Sequence, residues 1–224
     1  MRRNKLSILL IIPILLSNLC LCSFTDEGNV TLEWHAFRHA TKIATGNDAG
    51  GLGHSFIKIN NEIKSSVDIG YYTLQSNTYV TIGLWKNSAL GSSSSGSHTS
   101  DFNKGILYNY ERYHYTQIEI MNDDIYTSMV LSSSNIANLS SLVKSVNSKY
   151  SLVTYNCATF TTDVWNTLNG TNYWTGWNQT PSSVKDDIDD YTYYNGNNSL
   201  TYTSSIYYYN ESKGSLMSLL WKMF

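Results

Sequence analysis

The stretch Gly53-His54-Ser55-Phe56-Ile57-Lys58-Ile59 decides how the rest of this chain is read. It follows residues 46–53, where Asn47, Asp48 and the Gly50-Gly51-Leu52-Gly53 run supply turn chemistry and enough backbone freedom to enter a strand sharply. His54 therefore opens a strand behind small residues, where another element has room to approach. Upstream, Val30, Leu32, Trp34 and Ala36 alternate with Thr31, Glu33, His35 and Phe37, the period of a first strand. Downstream, Asn60-Asn61 can turn the chain back, and residues 65–74 and 78–85 read as two further strands rich in Val, Ile, Thr and Tyr. The expectation is a small antiparallel meander.

Beyond it the pattern changes. Residues 92–100 form a Ser/Gly-rich loop carrying His98, and residues 106–120 resume strand-like patterning through Tyr108, Tyr110, Tyr113, Tyr115, Ile118 and Ile120. From Ser134 onward Ile136, Leu139, Leu142, Val143 and Val146 share a helical face. Thr180-Pro181 offers an N-cap and a proline at the first helical position, with Val184 and Ile188 one turn apart. The Tyr-rich segment 191–210, with its Asn195-Gly196 turn signal, reads as a hairpin, while the apolar residues 215–224 take no assignment. Together these define an α+β fold, a small antiparallel β-sheet with packed helices.

Composition narrows the function. Of 224 residues, 15 are Lys or Arg and 17 are Asp or Glu, so there is no basic stripe to neutralise a phosphate backbone and nucleic acid is not an expected partner. Residues 1–23 have the layout of a signal peptide: Arg2, Arg3 and Lys5 precede an apolar run over 6–21 broken by Pro13, Ser17 and Asn18. Cleavage after Cys22 or Ser23 leaves a secreted or extracellular single domain over 24–224. The alternative is a retained anchor, which would make this segment the chain's one contact with a membrane. Cys20 and Cys22 each follow Leu, where a lipidation site wants a small residue.

Once that segment is removed, Cys157 is the single cysteine left. An unpaired thiol in an exported chain is a buried inert group, an intermolecular half-disulfide or a reactive centre. Phe160, Thr161, Val164 and Leu168 repeat at helical spacing after Asn156, a suitable N-cap, so Cys157 lands in a first helical turn. Unsatisfied N–H groups and the helix dipole stabilise a thiolate there. Every histidine (His35, His39, His54, His98, His114) precedes it. Among them His54 alone opens a strand behind a glycine run, which makes it the candidate base. His35-x-x-x-His39 is the one metal-type spacing and lies in a strand pattern, so neither metal nor cofactor is expected.

Gly53-His54-Ser55-Phe56 and, later in the chain, Tyr155-Asn156-Cys157-Ala158-Thr159-Phe160 together resemble the circularly permuted papain-like thiol hydrolases, the group of the lecithin:retinol acyltransferase-like enzymes and several secreted bacterial branches. Similarity extends to Gly105-Ile106-Leu107-Tyr108-Asn109-Tyr110-Glu111 and Thr180-Pro181-Ser182, so that residues 53–189 are covered and the Tyr-rich tail is an extension. The resemblance implies a sheet holding the histidine, a thiol helix packed across it and a third polar residue orienting the ring. The acyltransferase-like pattern places a second histidine on the following strand, which this sequence lacks. Asp68, which faces His54 only if the Asn60-Asn61 turn adds a residue, and Asn109 and Glu111 on a later strand stay open as the third member.

The first functional expectation is a secreted thiol hydrolase that cleaves an amide or ester, such as a peptide, cell-wall peptide or lipid-like acyl substrate, through an acyl-enzyme on Cys157 with His54 as base. Asn156, Trp165 and Trp177 are the expected substrate contacts. The second is an extracellular binding or adhesion module of the same fold, with Trp165, Trp174 and Trp177 in a polar-aromatic recognition face.

Overall fold

The computed structural model describes residues 28–37, 53–85, 105–114, 124–146, 155–175, 179–196, 200–210 and 213–218. The N-terminal segment 1–23, the Ser/Gly loop 92–100, residues 115–120, His39, His98, Trp177 and the His114 side chain lie outside that description.

Alternation builds the centre of the sheet. Strand β1 (Val30–Phe37) pairs antiparallel with β2 (His54–Asn61) in a register that sets Leu32 opposite Ile59 and Trp34 opposite Ile57. These side chains share one face, and the helices cover it. Strand β5 (Thr78–Leu84) pairs with the other edge of β2, and β7 (Ile125–Val130) with the other edge of β1. The full order is β10-β9-β6-β5-β2-β1-β7-β8, every pair antiparallel, with β6 at Ile106–Tyr108, β8 at Tyr194–Asn195, β9 at Tyr207–Asn210 and β10 at Ser215–Ser218.

The fold is α+β. A five-residue helix α1 (Tyr110–His114) packs by β5, and three longer helices, α2 (Ser133–Ser145), α3 (Cys157–Asn169) and α4 (Pro181–Asp189), lie on the apolar face. Helix α3 sits against β2 and β5, and α4 against β1 and β7. Trp34 stacks on Trp165 at 5.1 Å in the middle of this core, a pairing worth about 0.5–1.5 kcal/mol beyond the area it removes from water. Thr180 caps α4 through a capping box with Ser183, with Pro181 at the first position, as the Thr-Pro pair predicts. No helix among the described residues is long and apolar enough to cross a membrane.

Four local expectations are corrected. Strand β2 runs through Asn61 instead of turning at Asn60-Asn61, because the Asn61 side chain donates to the Ser65, Leu74 and Gln75 carbonyls and so anchors the connection that follows. Residues 65–74 are not one sheet strand but a separate hairpin, β3 (Val67–Ile69) and β4 (Tyr72–Leu74), turned at Gly70 with φ of 64°. The β-pattern from Ile106 stops at Tyr108, where Asn109 takes φ of 65° and the chain enters α1. The described strands of segment 191–210 pair elsewhere and not with each other: β8 joins β7, and β9 joins β6 and β10. These long-range additions make the sheet larger than the expected meander.

The opposite face is polar as well as aromatic. His35 is fully buried there, with Nδ1 2.9 Å from Asp124 Oδ2 and Nε2 3.0 Å from Glu33 Oε2, and with Phe56 and Tyr126 stacked on either side. Burial opposes protonation, but the two carboxylates outweigh it and raise the His35 pKa. Glu33 also accepts from Lys58 and Asn60; burial acts to raise its pKa, yet these partners and His35 hold it at about 2. His35 is thus committed to a structural ion cluster.

Candidate active site

Gly53, with φ of 73°, occupies a conformation that favours glycine and delivers the chain directly into β2, so that His54 is its first residue. On the other side, Asn156 is the N-cap of α3. Its Oδ1 accepts from the Ala158 and Thr159 N–H groups at 2.8 and 3.1 Å, and its Nδ2 donates to the Gln179 carbonyl at 2.8 Å. Cys157 is therefore the first residue of the helix, and packing of α3 on β2 carries it to the end of the strand that His54 begins.

The thiol and the His54 ring are in hydrogen-bond contact, and the Ser55 and Ala158 N–H groups also face the sulfur. His54 Nε2 lies 3.1 Å from Glu111 Oε1, which leaves Nδ1 to face the thiol. All three groups are buried, Cys157 at 5% exposure. Trp85 donates its indole N–H to the same Glu111 oxygen at 2.8 Å and lays its ring 4.0 Å from the imidazole.

Gly83 explains how a carboxylate from α1 reaches a ring on β2. A Cβ built at that position would stand 2.0 Å from Glu111 Oε1, 2.7 Å from Trp85 Nε1 and 3.1 Å from His54 Nε2. The absent side chain is the space in which the three groups meet.

Electrostatics follow from this packing. Burial pushes the Cys157 thiol up, but the His54 charge, its hydrogen bond and the two N–H donors outweigh burial and bring the pKa below the ordinary thiol value. For His54 burial favours the neutral ring; the Cys157 sulfur and then Glu111 reverse that and push the pKa up to about 9. Glu111 is raised by burial and lowered more strongly by His54, with Thr81 and Trp85 assisting. The lowered thiol and the raised imidazole both favour the thiolate–imidazolium form of the pair, with the Glu111 carboxylate behind the ring. Such an arrangement can supply a nucleophile and a proton donor at one carbonyl.

Sequence expectations divide at this point. Cys157, His54 and Glu111 come together, although Glu111 stands on a short helix and not on the expected strand. Asp68 does not face His54: it is exposed on β3 and accepts from the Thr73 hydroxyl. Asn109 does not reach the ring either; its Oδ1 accepts from the Thr81 N–H and its Nδ2 donates to the Ser205 carbonyl, which ties the end of β6 just ahead of Glu111. Asn156 is a cap whose side chain is spent on backbone partners, so it is corrected from substrate contact to helix support. Trp165 is corrected likewise: at 1% exposure it belongs to the core, stacked on Trp34 and donating to the Tyr191 hydroxyl. Of the expected tryptophan platform, Trp174 is exposed, at 70%.

Gly83 and Trp85 went unrecognised. A glycine inside a β-patterned run was an available signal, since it marks close approach by another group. Nothing local distinguishes Trp85 from any strand-end aromatic. Among the described residues, no cluster of His, Cys, Asp and Glu is arranged to hold a metal ion.

No family model matches the sequence, and no curated protein matches it. One solved structure that does is the crystal structure of a type VI secretion system effector, TseH, with a TM-score of 0.36 and 14% identity, covering 87% of this chain and 100% of that one. A likeness at that level does not establish a common fold.

Proposed function

We propose that this chain is a thiol hydrolase of the permuted papain-like kind, acting on an amide or ester carbonyl. The observation that carries the reading is the His54 ring held between the Cys157 sulfur and the Glu111 carboxylate. A buried structural cysteine needs no ion pair, whereas a nucleophile does.

The Cys157 thiolate attacks the carbonyl carbon, and the electron pair of the carbonyl moves onto oxygen. The Cys157 N–H at the positive end of α3 supports that oxyanion. His54 gives its Nδ1 proton to the departing amine or alkoxide as the carbon–heteroatom bond breaks, leaving an acyl-thioenzyme. Water then attacks, giving a proton back to His54, and the sulfur leaves as thiolate with release of the carboxylic acid. Glu111 keeps Nδ1 aimed at the sulfur and stabilises the imidazolium. For an exported chain, peptide amides, those of cell-wall peptides included, are the substrates this chemistry suits best.

Hydrolysis of a library of peptides, muropeptides and acyl esters tests the reading. Turnover that is blocked by iodoacetamide and lost in Cys157→Ala, with the melting curve of that variant nearly unchanged, is the expected result. Retained turnover in Cys157→Ala would sink the proposal.

A further inference from the structure

One polar pair on the helix-covered face of the sheet is not explained by packing. Ser55 and Thr161 are both fully buried, and their hydroxyl oxygens are 2.6 Å apart. Ala36 stands opposite Ser55 across the β1–β2 ladder, and Ala158 and Val164, both in the apolar core, lie one turn to either side of Thr161 on α3. The pair's places in the chain are particular: Ser55 follows His54, and Thr161 stands one helical turn beyond Cys157.

Two hydroxyl protons serve three contacts. The Ser55 hydroxyl has the His35 carbonyl as an acceptor at 2.8 Å, and either hydroxyl can donate the short contact between the two. The competing acceptor for the Thr161 proton, the Ala158 carbonyl, is farther away at 3.2 Å. A single relay thus runs from the first turns of α3 through β2 to β1.

We propose that the Ser55 and Thr161 hydroxyls are positioning residues that set the separation between the thiol helix and the strand carrying its base. Apolar contact between α3 and β2 is non-directional and would tolerate a small slide, whereas a hydrogen bond holds both distance and angle. The backbone of Ser55 is itself one of the N–H donors at the sulfur, so a slide of the helix away from Ser55 loosens that contact and the His54 contact together. Among the described residues, His54 is the titratable side chain facing the sulfur, and Glu111 is the one behind His54. The inference rests on the thiolate–imidazolium reading of the site.

Single variants leave no buried proton stranded. In Thr161→Val, Ser55 can donate to the His35 carbonyl; in Ser55→Ala, Thr161 can turn to the Ala158 carbonyl. Both are therefore expected to melt cooperatively near the wild-type temperature. The measurement is the iodoacetamide alkylation rate of folded protein against pH, alongside melting curves, for wild type, Ser55→Ala, Thr161→Val and Thr161→Ser. Expected are an apparent thiol pKa raised by about one unit in the first two variants, seen as a roughly tenfold slower reaction on the acid limb, and a wild-type profile in Thr161→Ser, which keeps the hydroxyl. A wild-type profile in both folded variants overturns the positioning role while leaving the triad standing. Loss of cooperative melting in both overturns it as well, since the pair would then be a structural support. A wild-type protein that reacts like a free thiol, with a pKa of about 8.5, removes the triad reading itself.

Discussion

Glu111→Gln isolates the charge behind the base. The amide oxygen can still accept from both His54 Nε2 and the Trp85 indole, which share Glu111 Oε1 at 3.1 and 2.8 Å, so shape is kept and one charge is lost. At that separation two unit charges in an effective dielectric of about 20 interact by about 5 kcal/mol, an upper limit. The net worth of a hydrogen bond to a charged group is smaller, about 1.5–3 kcal/mol. At about 1.4 kcal/mol per unit, the smaller range predicts that the His54 pKa falls from its present value of about 9 by roughly one to two units, and that the thiol pKa moves up. The assay is NMR titration of the imidazole, paired with the pH dependence of alkylation and turnover, where a loss of about ten- to a hundredfold is expected on the same free-energy scale.

The sign of the stability effect can be checked independently. His54 is raised from 6.5 to about 9, so its contribution is fully present below 6.5 and lost as pH rises through about 9. Glu111 is lowered from 4.5, so its contribution is present above that value. The difference in stability between wild type and Glu111→Gln should therefore be widest between pH of 4.5 and 6.5 and close above about 9. A His54 titration that is the same in both proteins would refute the assignment of Glu111 as the third member.

Three further outcomes follow from the packing. Gly83→Ala puts a methyl group into the space shared by Glu111, Trp85 and His54; turnover should drop at least as far as in Glu111→Gln, and full activity would contradict the crowding described. Asn156→Ala removes the cap of the thiol helix, at a cost of about 1–2 kcal/mol, or roughly 2–8 °C in melting temperature for a domain of this size; an unchanged melting curve would show that the cap is dispensable. On the acid side, Glu33 is held at about 2 against 4.5 when unfolded, so its stabilisation is present above 4.5 and lost as pH falls through about 2. Denaturation curves between those values should steepen in wild type relative to Glu33→Gln, and parallel curves would count against the buried Glu33–His35 cluster.

Much of the fold and of the site was legible from local pattern. Alternation specifies β1 because one face of that strand is buried against helices, and capping chemistry specifies α3 and α4 because Asn156 and Thr180 satisfy N–H groups that each helix leaves open. A cysteine directly behind an N-cap and a histidine opening a strand are local patterns too, which is why the sequence points to Cys157 and His54 as a pair. What a strand pairs with is not local. Tyr194, Tyr207 and their neighbours carry the same β-propensity whether they form a hairpin or join separate edges of a sheet, and only closure of the whole sheet chooses between these. The third member of the site is of that second kind. Asp68, Asn109 and Glu111 are equivalent as polar residues near a predicted strand. Glu111 reaches the ring because Asn109 bends the chain into α1 and Gly83, on a different strand, leaves the space open, a coincidence of three segments that exists only once the chain is folded.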